Sequence, residues 1–394
     1  MHSLSIFTVL TSFSSCVLGQ WSTWGPPNPS PVQPSSSSIS STPVYSSDAT
    51  TYTNPVLEEV GADPWVVRSG DYYYITYTTQ DNVTLLRSSI LTDWNSAEVK
   101  LVFSPPENTS YTYSNWAPEV HYFEQYQKWY FIYTADVDPD HPSPQQDMLC
   151  DYTCPAVNHR MFALESSGSD IWESEYSMKA ELNTYDQFAI DGTYFQHADK
   201  LYHIYSCWYT NQTSWPAMLC ISEMSNPWTV SSPLSERLII SKPDQPWEKT
   251  PYNRTINDRL SSNEGPEQLT NPYTNQTFVI YSAARSDNRN YCLGLIELVG
   301  DNPLDINSWD KNEAGCVFYE NPDEEVYGVG HASFVQSPDE SEWWIVYHGM
   351  EDYLEGWSAR TIRAQQFTWD ETTGWPVFPR PGIGPYDVPS GQGS

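Results

Sequence analysis

Asp63-Pro64-Trp65-Val66-Val67 followed by Tyr72-Tyr73-Tyr74-Ile75-Thr76-Tyr77 sets out a plan that this chain uses five times. An acidic or polar residue precedes a small residue or proline, and an aromatic-rich, strand-like run follows about 10 residues later, as a structural repeat requires. The other openings are Trp116-Ala117-Pro118-Glu119-Val120, Asp191-Gly192-Thr193-Tyr194, Glu264-Gly265-Pro266-Glu267 and Gly330-His331-Ala332-Ser333-Phe334. Their runs are Trp129-Tyr130-Phe131-Ile132-Tyr133, Leu201-Tyr202-His203-Ile204-Tyr205, Phe278-Val279-Ile280-Tyr281 and Trp343-Trp344-Ile345-Val346-Tyr347. The pattern predicts an all-β, five-bladed propeller in which each opening starts the strand that lines a central channel. Asp63, Asp191 and Glu264 would then bring three carboxylates to one cavity.

Working outward, residues 1–19 read as a secretory leader, apolar from Leu4 to Leu18 with small residues before Gln20. Residues 20–55 are rich in Ser, Thr and Pro and read as a disordered linker open to O-glycosylation. Residues 56–394 are left for the propeller, and ~60 to 75 residues per repeat suits blades that pack radially on their neighbours. With 17% charged and 15% aromatic residues, the chain has ample material for sheet packing. No later stretch approaches the ~18 apolar residues of a membrane span.

Export agrees with the cysteines and sequons. Cys16 leaves with the leader, and Cys150, Cys154, Cys207, Cys220, Cys292 and Cys316 form an even set. Pairing by proximity joins Cys150 to Cys154, Cys207 to Cys220 and Cys292 to Cys316, one of fifteen connectivities. A zinc site at Cys150, Cys154 and His159 matches no standard ligand spacing. Asn82, Asn108, Asn211, Asn253 and Asn275 each start a glycosylation sequon. A net charge of −32, with 18 basic residues among 50 acidic ones, excludes nucleic acid and anionic membranes as partners. The expected partner is a neutral polymer, bound by a monomer. HExxH, GxSxG and GxxxxGK[ST] are all missing from the sequence, which removes zinc protease, serine esterase and phosphate-loop chemistry.

Three convergent carboxylates suit cleavage of a glycosidic bond, which needs an acid for the leaving oxygen and a carboxylate to activate water or attack the sugar. A third, ionised carboxylate beside the acid would raise the acid's pKa and keep it protonated. Each residue alone has a plainer reading as an Asp-Pro, Asp-Gly or Glu-Gly turn. Their recurrence at equivalent points of a repeat is the signal.

The ordered set Asp63-Pro64-Trp65-Val66, Asn115-Trp116-Ala117-Pro118-Glu119, Ala189-Ile190-Asp191-Gly192-Thr193, Asn263-Glu264-Gly265-Pro266-Glu267 and Gly330-His331-Ala332-Ser333-Phe334 resembles the family 43 glycoside hydrolases, over about residues 56–385. These are five-bladed propellers acting with inversion on arabinan, arabinoxylan and related plant-wall polymers. The resemblance implies that Asp63 is the general base, Glu264 the general acid in preference to Glu267, and Asp191 the residue that tunes and orients the acid. It implies sugar contacts from Glu119 and from Arg360 or Arg363, with Arg360 favoured. It also implies that His331 contacts a structural calcium ion in the channel, no cofactor being needed for the chemistry; an inter-blade hydrogen bond is the alternative for this histidine. Trp116 is either a stacking wall for the sugar or a blade-packing residue. The implied activity is release of terminal α-L-arabinofuranosyl residues; a β-xylosidase, a non-catalytic polysaccharide-binding propeller and a structural cell-surface glycoprotein are the alternatives. The segment from Asp136 to Asn158 is the candidate for shaping the pocket.

Overall fold

The computed structural model describes residues 50–137, 158–209, 216–249, 261–351 and 356–392. The leader, most of the linker, Cys150, Cys154, the sequons at Asn211 and Asn253, and nearly all of the candidate pocket-shaping segment lie outside the described residues.

Five antiparallel sheets follow one another along the chain. Blade 1 comprises Ala62–Ser69, Tyr72–Thr78, Val83–Ser88 and Glu98–Phe103, and blade 2 Tyr113–Phe123, Lys128–Asp136, Arg160–Ser166 and Tyr176–Glu181. Blade 3 comprises Ala189–His197, Lys200–Cys207, Met218–Asn226 and Thr229–Val230, with Leu238–Ser241 also on the third strand. Blade 4 is built from Ser262–Thr270, Thr277–Ala284, Cys292–Leu298 and Trp309–Lys311, and blade 5 from Tyr327–Gln336, Trp343–Met350, Thr361–Trp369 and Pro376–Val377. The first strands of successive blades touch, and that of blade 5 touches that of blade 1, so the ring closes. This is the five-bladed propeller expected. The described helical residues are all in short 3-10 turns, and among them no helix is long and apolar enough to cross a membrane.

The aromatic runs form the second strands, covered on both faces by neighbouring blades, and therefore read as unbroken apolar stretches rather than as an alternation. Successive side chains still point to opposite faces. Tyr73 and Ile75 pack toward blade 5 with Trp344 and Val346, whereas Tyr74 packs toward blade 2 with Phe131 and Tyr133. Five such cores, one per junction, replace a single central core.

Structure begins before residue 56. Thr51 and Tyr52 pair with Asp387 and Tyr386, the Tyr52 hydroxyl donates to the Ala364 carbonyl, and Asn54 donates to the carbonyls of Ala364 and Gly382. Thr50–Pro55 thus clasps blade 5 to the chain's end rather than serving as linker. Cys207–Cys220 and Cys292–Cys316 are disulfides, each linking Cα atoms 5.9 Å apart, as expected from proximity. Asn108 and Asn275 are exposed, while Asn82 is half-buried and accepts hydroxyl hydrogens from Thr79 and Thr84.

Candidate active site

Every first strand carries a register shift at its opening: between Ala62 and Trp65, Trp116 and Glu119, Ile190 and Thr193, Glu264 and Glu267, and Gly330 and Ser333. In each bulge one residue takes a left-handed backbone: Asp63 (φ 58°), Ala117 (43°), Asp191 (52°), Gly265 (52°) and His331 (45°). Aspartate and histidine tolerate this region better than most residues, but alanine there is strained, a condition that persists only where the surroundings fix it. Bulges re-aim side chains. Here they turn five equivalent positions toward one centre. Blade 4 departs from the others, because glycine occupies the left-handed position and the carboxylate, Glu264, stands one residue earlier.

The residue just after each second-strand run reaches the next blade, in four of the five cases at its bulge. Thr78, Thr134, Ser206, Ser282 and His348 pair with the residue before the bulge in blades 1 to 5. The Thr78 hydroxyl accepts the Ala117 N–H at 2.7 Å, Thr134 that of Asp191 at 3.0 Å and Ser282 that of His331 at 2.7 Å. His348 Nδ1 accepts the N–H of Asp63 at 3.1 Å. The same nitrogen lies 3.4 Å from Asp63 Oδ1, but having accepted the amide it has no hydrogen for the carboxylate. Burial pushes His348 down to about 4, which keeps it neutral. Ser206 instead donates to the Asn263 carbonyl at 2.9 Å.

The structure brings Asp63, Asp191, Glu264, His331 and Arg360 together. Asp63 Oδ1 lies 3.1 Å from Arg360 Nη1 and 3.2 Å from His331 Nδ1, and the Thr78 hydroxyl donates to Oδ2 at 2.7 Å. Burial would raise the Asp63 pKa, but the Arg360 guanidinium and the His331 imidazolium hold its carboxyl well below the usual range. Burial opposes the charge on His331, yet the carboxylates around it raise it to about 9. Glu264 is raised by burial; Tyr291 O–H donates to its Oε1 at 2.8 Å. Burial, together with the negative neighbours Glu264 and Asp63, pushes Asp191 up to about 8, despite His331 and the Gly265 N–H on its carboxylate. Asp191 was expected to be the ionised partner of the acid. In this geometry it titrates with Glu264 as a pair, and Asp63 carries the fixed negative charge.

The other predicted residues divide. Arg363 is fully buried and reaches Glu351 at 3.1 Å, bracing blade 5, which leaves Arg360 as the arginine of the cluster. Trp116 is half-buried beside its bulge, its ring 4.3 Å from that of His159 and its Nε1–H donated to Gln80 at 2.7 Å. Glu119 and Glu267 stand two residues past the bulges, and the charge on His331 acts on Glu119. Glu119 lies 2.8 Å from His121 Nε2 and is raised by burial; Glu267 is raised well above its usual value by burial and then by Glu119. Sequence reasoning missed Thr78, Tyr291, Ser262 and His348.

His331 does not fit a metal site made by side chains. Its Nδ1 faces Asp63 and, at 3.9 Å, Asp191 Oδ2, and among the described residues no group of three or more His, Cys, Asp or Glu is arranged to hold a metal. Calcium favours a shell of oxygens, which one imidazole does not supply.

The family model of the glycosyl hydrolases family 43 matches residues 52–376. The chain is 29% identical over 307 residues to the extracellular exo-alpha-(1->5)-L-arabinofuranosidase of Streptomyces chartreusis, covering 76% of this chain and 83% of that protein. It is 29% identical over 310 residues to alpha-L-arabinofuranosidase B of Pyricularia oryzae, where it spans 56% of the relative's length and the match covers 76% of this chain. The crystal structure of alpha-L-arabinofuranosidase from Lactobacillus brevis aligns with a TM-score of 0.70 at 26% identity, covering 84% of this chain and 97% of that one. A family model that runs through all five blades, together with a ring of bulges carrying the family's motifs in order, establishes that this chain belongs to the family 43 glycosyl hydrolases.

Proposed function

We propose that the protein is a secreted glycoside hydrolase that removes terminal α-L-arabinofuranosyl residues from arabinan or arabinoxylan with inversion at the anomeric carbon. The observation that carries this reading is the split in protonation among three carboxyl groups on equivalent bulges. Asp63 is held ionised by Arg360 and His331, while Glu264 and Asp191 are biased toward the neutral form. A pair of carboxyls pushed apart in this way is what acid–base cleavage of a glycoside needs. Asp63 takes a proton from water as the water attacks the anomeric carbon, and Glu264 protonates the leaving oxygen. Asp191 tunes Glu264. With Oδ1 engaged by Arg360 and His331, and Thr78 on Oδ2, one Oδ2 lone pair is left for that water.

Arabinofuranoside as substrate is supported by the names of the relatives above. Secretion is supported by the leader-like start, the two disulfides among the described residues, and the extracellular designation of the Streptomyces relative. A channel calcium would need water for most of its shell, and the chemistry proposed here does not use it.

The test is turnover of nitrophenyl α-L-arabinofuranoside against nitrophenyl β-D-xyloside, with the anomer first released followed by proton NMR. Preference for the arabinoside with release of the inverted sugar is expected; preference for the xyloside rejects the substrate, and a retained anomer rejects the mechanism. On an alkyl arabinofuranoside, whose leaving oxygen needs a proton, Asp63→Asn and Glu264→Gln should each lower kcat by ~10² to 10⁴.

A further inference from the structure

Ser262 stands two residues ahead of Glu264 on the first strand of blade 4. Its hydroxyl oxygen lies 2.8 Å from the carbonyl oxygen of Ala284 and 2.9 Å from Glu264 Oε2, and all three residues are buried. A hydroxyl has one hydrogen to give, and a carbonyl oxygen can only accept. Were that hydrogen given to Glu264, the oxygens of Ser262 and Ala284 would face each other at 2.8 Å with nothing between them. The arrangement that gives each contact a hydrogen of its own, rather than one shared between two acceptors, has Ser262 donating to Ala284 and accepting a hydrogen carried by Glu264 Oε2. Oε1 is not the protonated oxygen, because the Tyr291 hydroxyl, 2.8 Å away, donates to it.

We propose that Ser262 is a positioning residue for the general acid: with its own hydrogen committed to Ala284, its hydroxyl oxygen parks the transferable proton on Glu264 Oε2 until a substrate oxygen takes its place. The proposal rests on the reading of Glu264 as the acid. In the transfer, the Oε2–H bond breaks as an O–H bond forms to the leaving oxygen, and the electron pair remains on Oε2. The Ser262 hydrogen stays on Ala284 throughout, and the Tyr291 hydroxyl remains the donor to the new carboxylate at Oε1. The proton that Asp63 took from water passes to solvent, and solvent returns one to Glu264.

Two measurements on the full chain test this. Near neutral pH, the infrared difference between wild type and Glu264→Gln should contain a neutral-carboxyl band, and in Ser262→Ala that band should move to higher frequency as it loses its acceptor. A difference spectrum without such a band overturns the proposal, and it decides the matter even if Ser262→Ala does not fold. In kinetics, Ser262→Ala should slow an alkyl arabinofuranoside, whose leaving oxygen needs a proton, at least ~tenfold more than a dinitrophenyl arabinofuranoside, whose leaving group does not. Equal slowing of both means that Ser262 only supports the strand and rejects its role. Should Glu264→Gln itself keep normal turnover, the general-acid reading fails first; an inactive Glu264→Gln beside an unselective Ser262→Ala rejects Ser262 alone.

Discussion

The hydroxyl of Thr78 donates to Asp63 Oδ2 at 2.7 Å while accepting the N–H of Ala117 at 2.7 Å, so one side chain couples the carboxylate of blade 1 to the bulge of blade 2. A single hydroxyl hydrogen suffices because the backbone supplies the other. Thr78→Val keeps the shape and removes both bonds. A hydrogen bond to a charged group is worth about 1.5–3 kcal/mol, so kcat should fall roughly ten- to hundredfold. Thr78→Ser should restore most of it. Steady-state kinetics of the two variants checks this, and an unchanged kcat in Thr78→Val would show that Arg360 and His331 hold Asp63 without help.

The pH profile of kcat/KM should be one-sided over the ordinary range. Asp63 is held well below the usual carboxylate pKa, so it stays ionised, and the loss on acidification lies at the low end of the carboxylate range. On the alkaline side, Glu264 is raised by burial and Asp191 beside it is pushed up to about 8, so the acid's proton is lost only as pH rises above the usual carboxylate range. Activity should therefore fall there. Asp191→Asn removes a neighbouring negative charge, which lets Glu264 ionise more readily, and should move this fall to lower pH. A shift to higher pH in that variant would contradict the pairing.

Glycine at Gly265 answers to two constraints. Its φ of 52° is one that alanine adopts at a cost of roughly 1–2 kcal/mol, and a Cβ there would lie 2.9 Å from the His331 ring. Gly265→Ala should therefore lower Tm by only a few degrees while displacing His331 from Asp63. The expected outcome is a kcat loss of at least ~tenfold, more than the stability change alone would produce. Thermal melts and kinetics on the same preparation separate the two effects, and a fall in Tm with kcat intact would remove His331 from the argument.

How much of this could be read from the chain depends on what is local. The openings at Asp63, Ala117, Asp191, Gly265 and His331 were visible as repeats because each bulge needs its own turn chemistry in sequence. The runs ending at Tyr77, Tyr133, Tyr205, Tyr281 and Tyr347 were visible because buried second strands are continuously apolar. The residue after each of those tyrosines, Thr78, Thr134, Ser206, Ser282 or His348, was equally regular, yet its purpose was hidden: in four of the five cases its partner is the bulge of the next blade. Glu264 was placed on a par with Asp63 and Asp191, although the register sets it one residue earlier. The charge state of Asp191 was not legible at all, since burial is a property of the assembled ring rather than of any segment.

Behind Glu264 sits a buried support whose failure should be felt first in stability. Glu248 is fully buried; its Oε1 accepts from Asn263 Nδ2 at 2.8 Å and from the Tyr281 hydroxyl at 2.9 Å, and Lys311 Nζ lies 2.8 Å away. Ser241 donates to Asn263 Oδ1 at 2.7 Å, so both ends of the residue preceding Glu264 are held. Glu248→Ala leaves the partly buried Lys311 ammonium, the asparagine amide and the tyrosine hydroxyl without their common acceptor. Removing one member of a buried ion pair costs about 3–5 kcal/mol when the other charge is left bare; Lys311 keeps Asp244 and the Lys242 carbonyl, so denaturant unfolding should show a smaller loss than that. Glu248→Gln retains an acceptor for Asn263 or Tyr281 and should lose less. Because Asn263 transmits the damage, the folded fraction of Glu248→Ala should also lose catalytic rate on poor leaving groups more than on good ones. If that fraction were as active as wild type on both, Asn263 would be holding the strand without steering the acid.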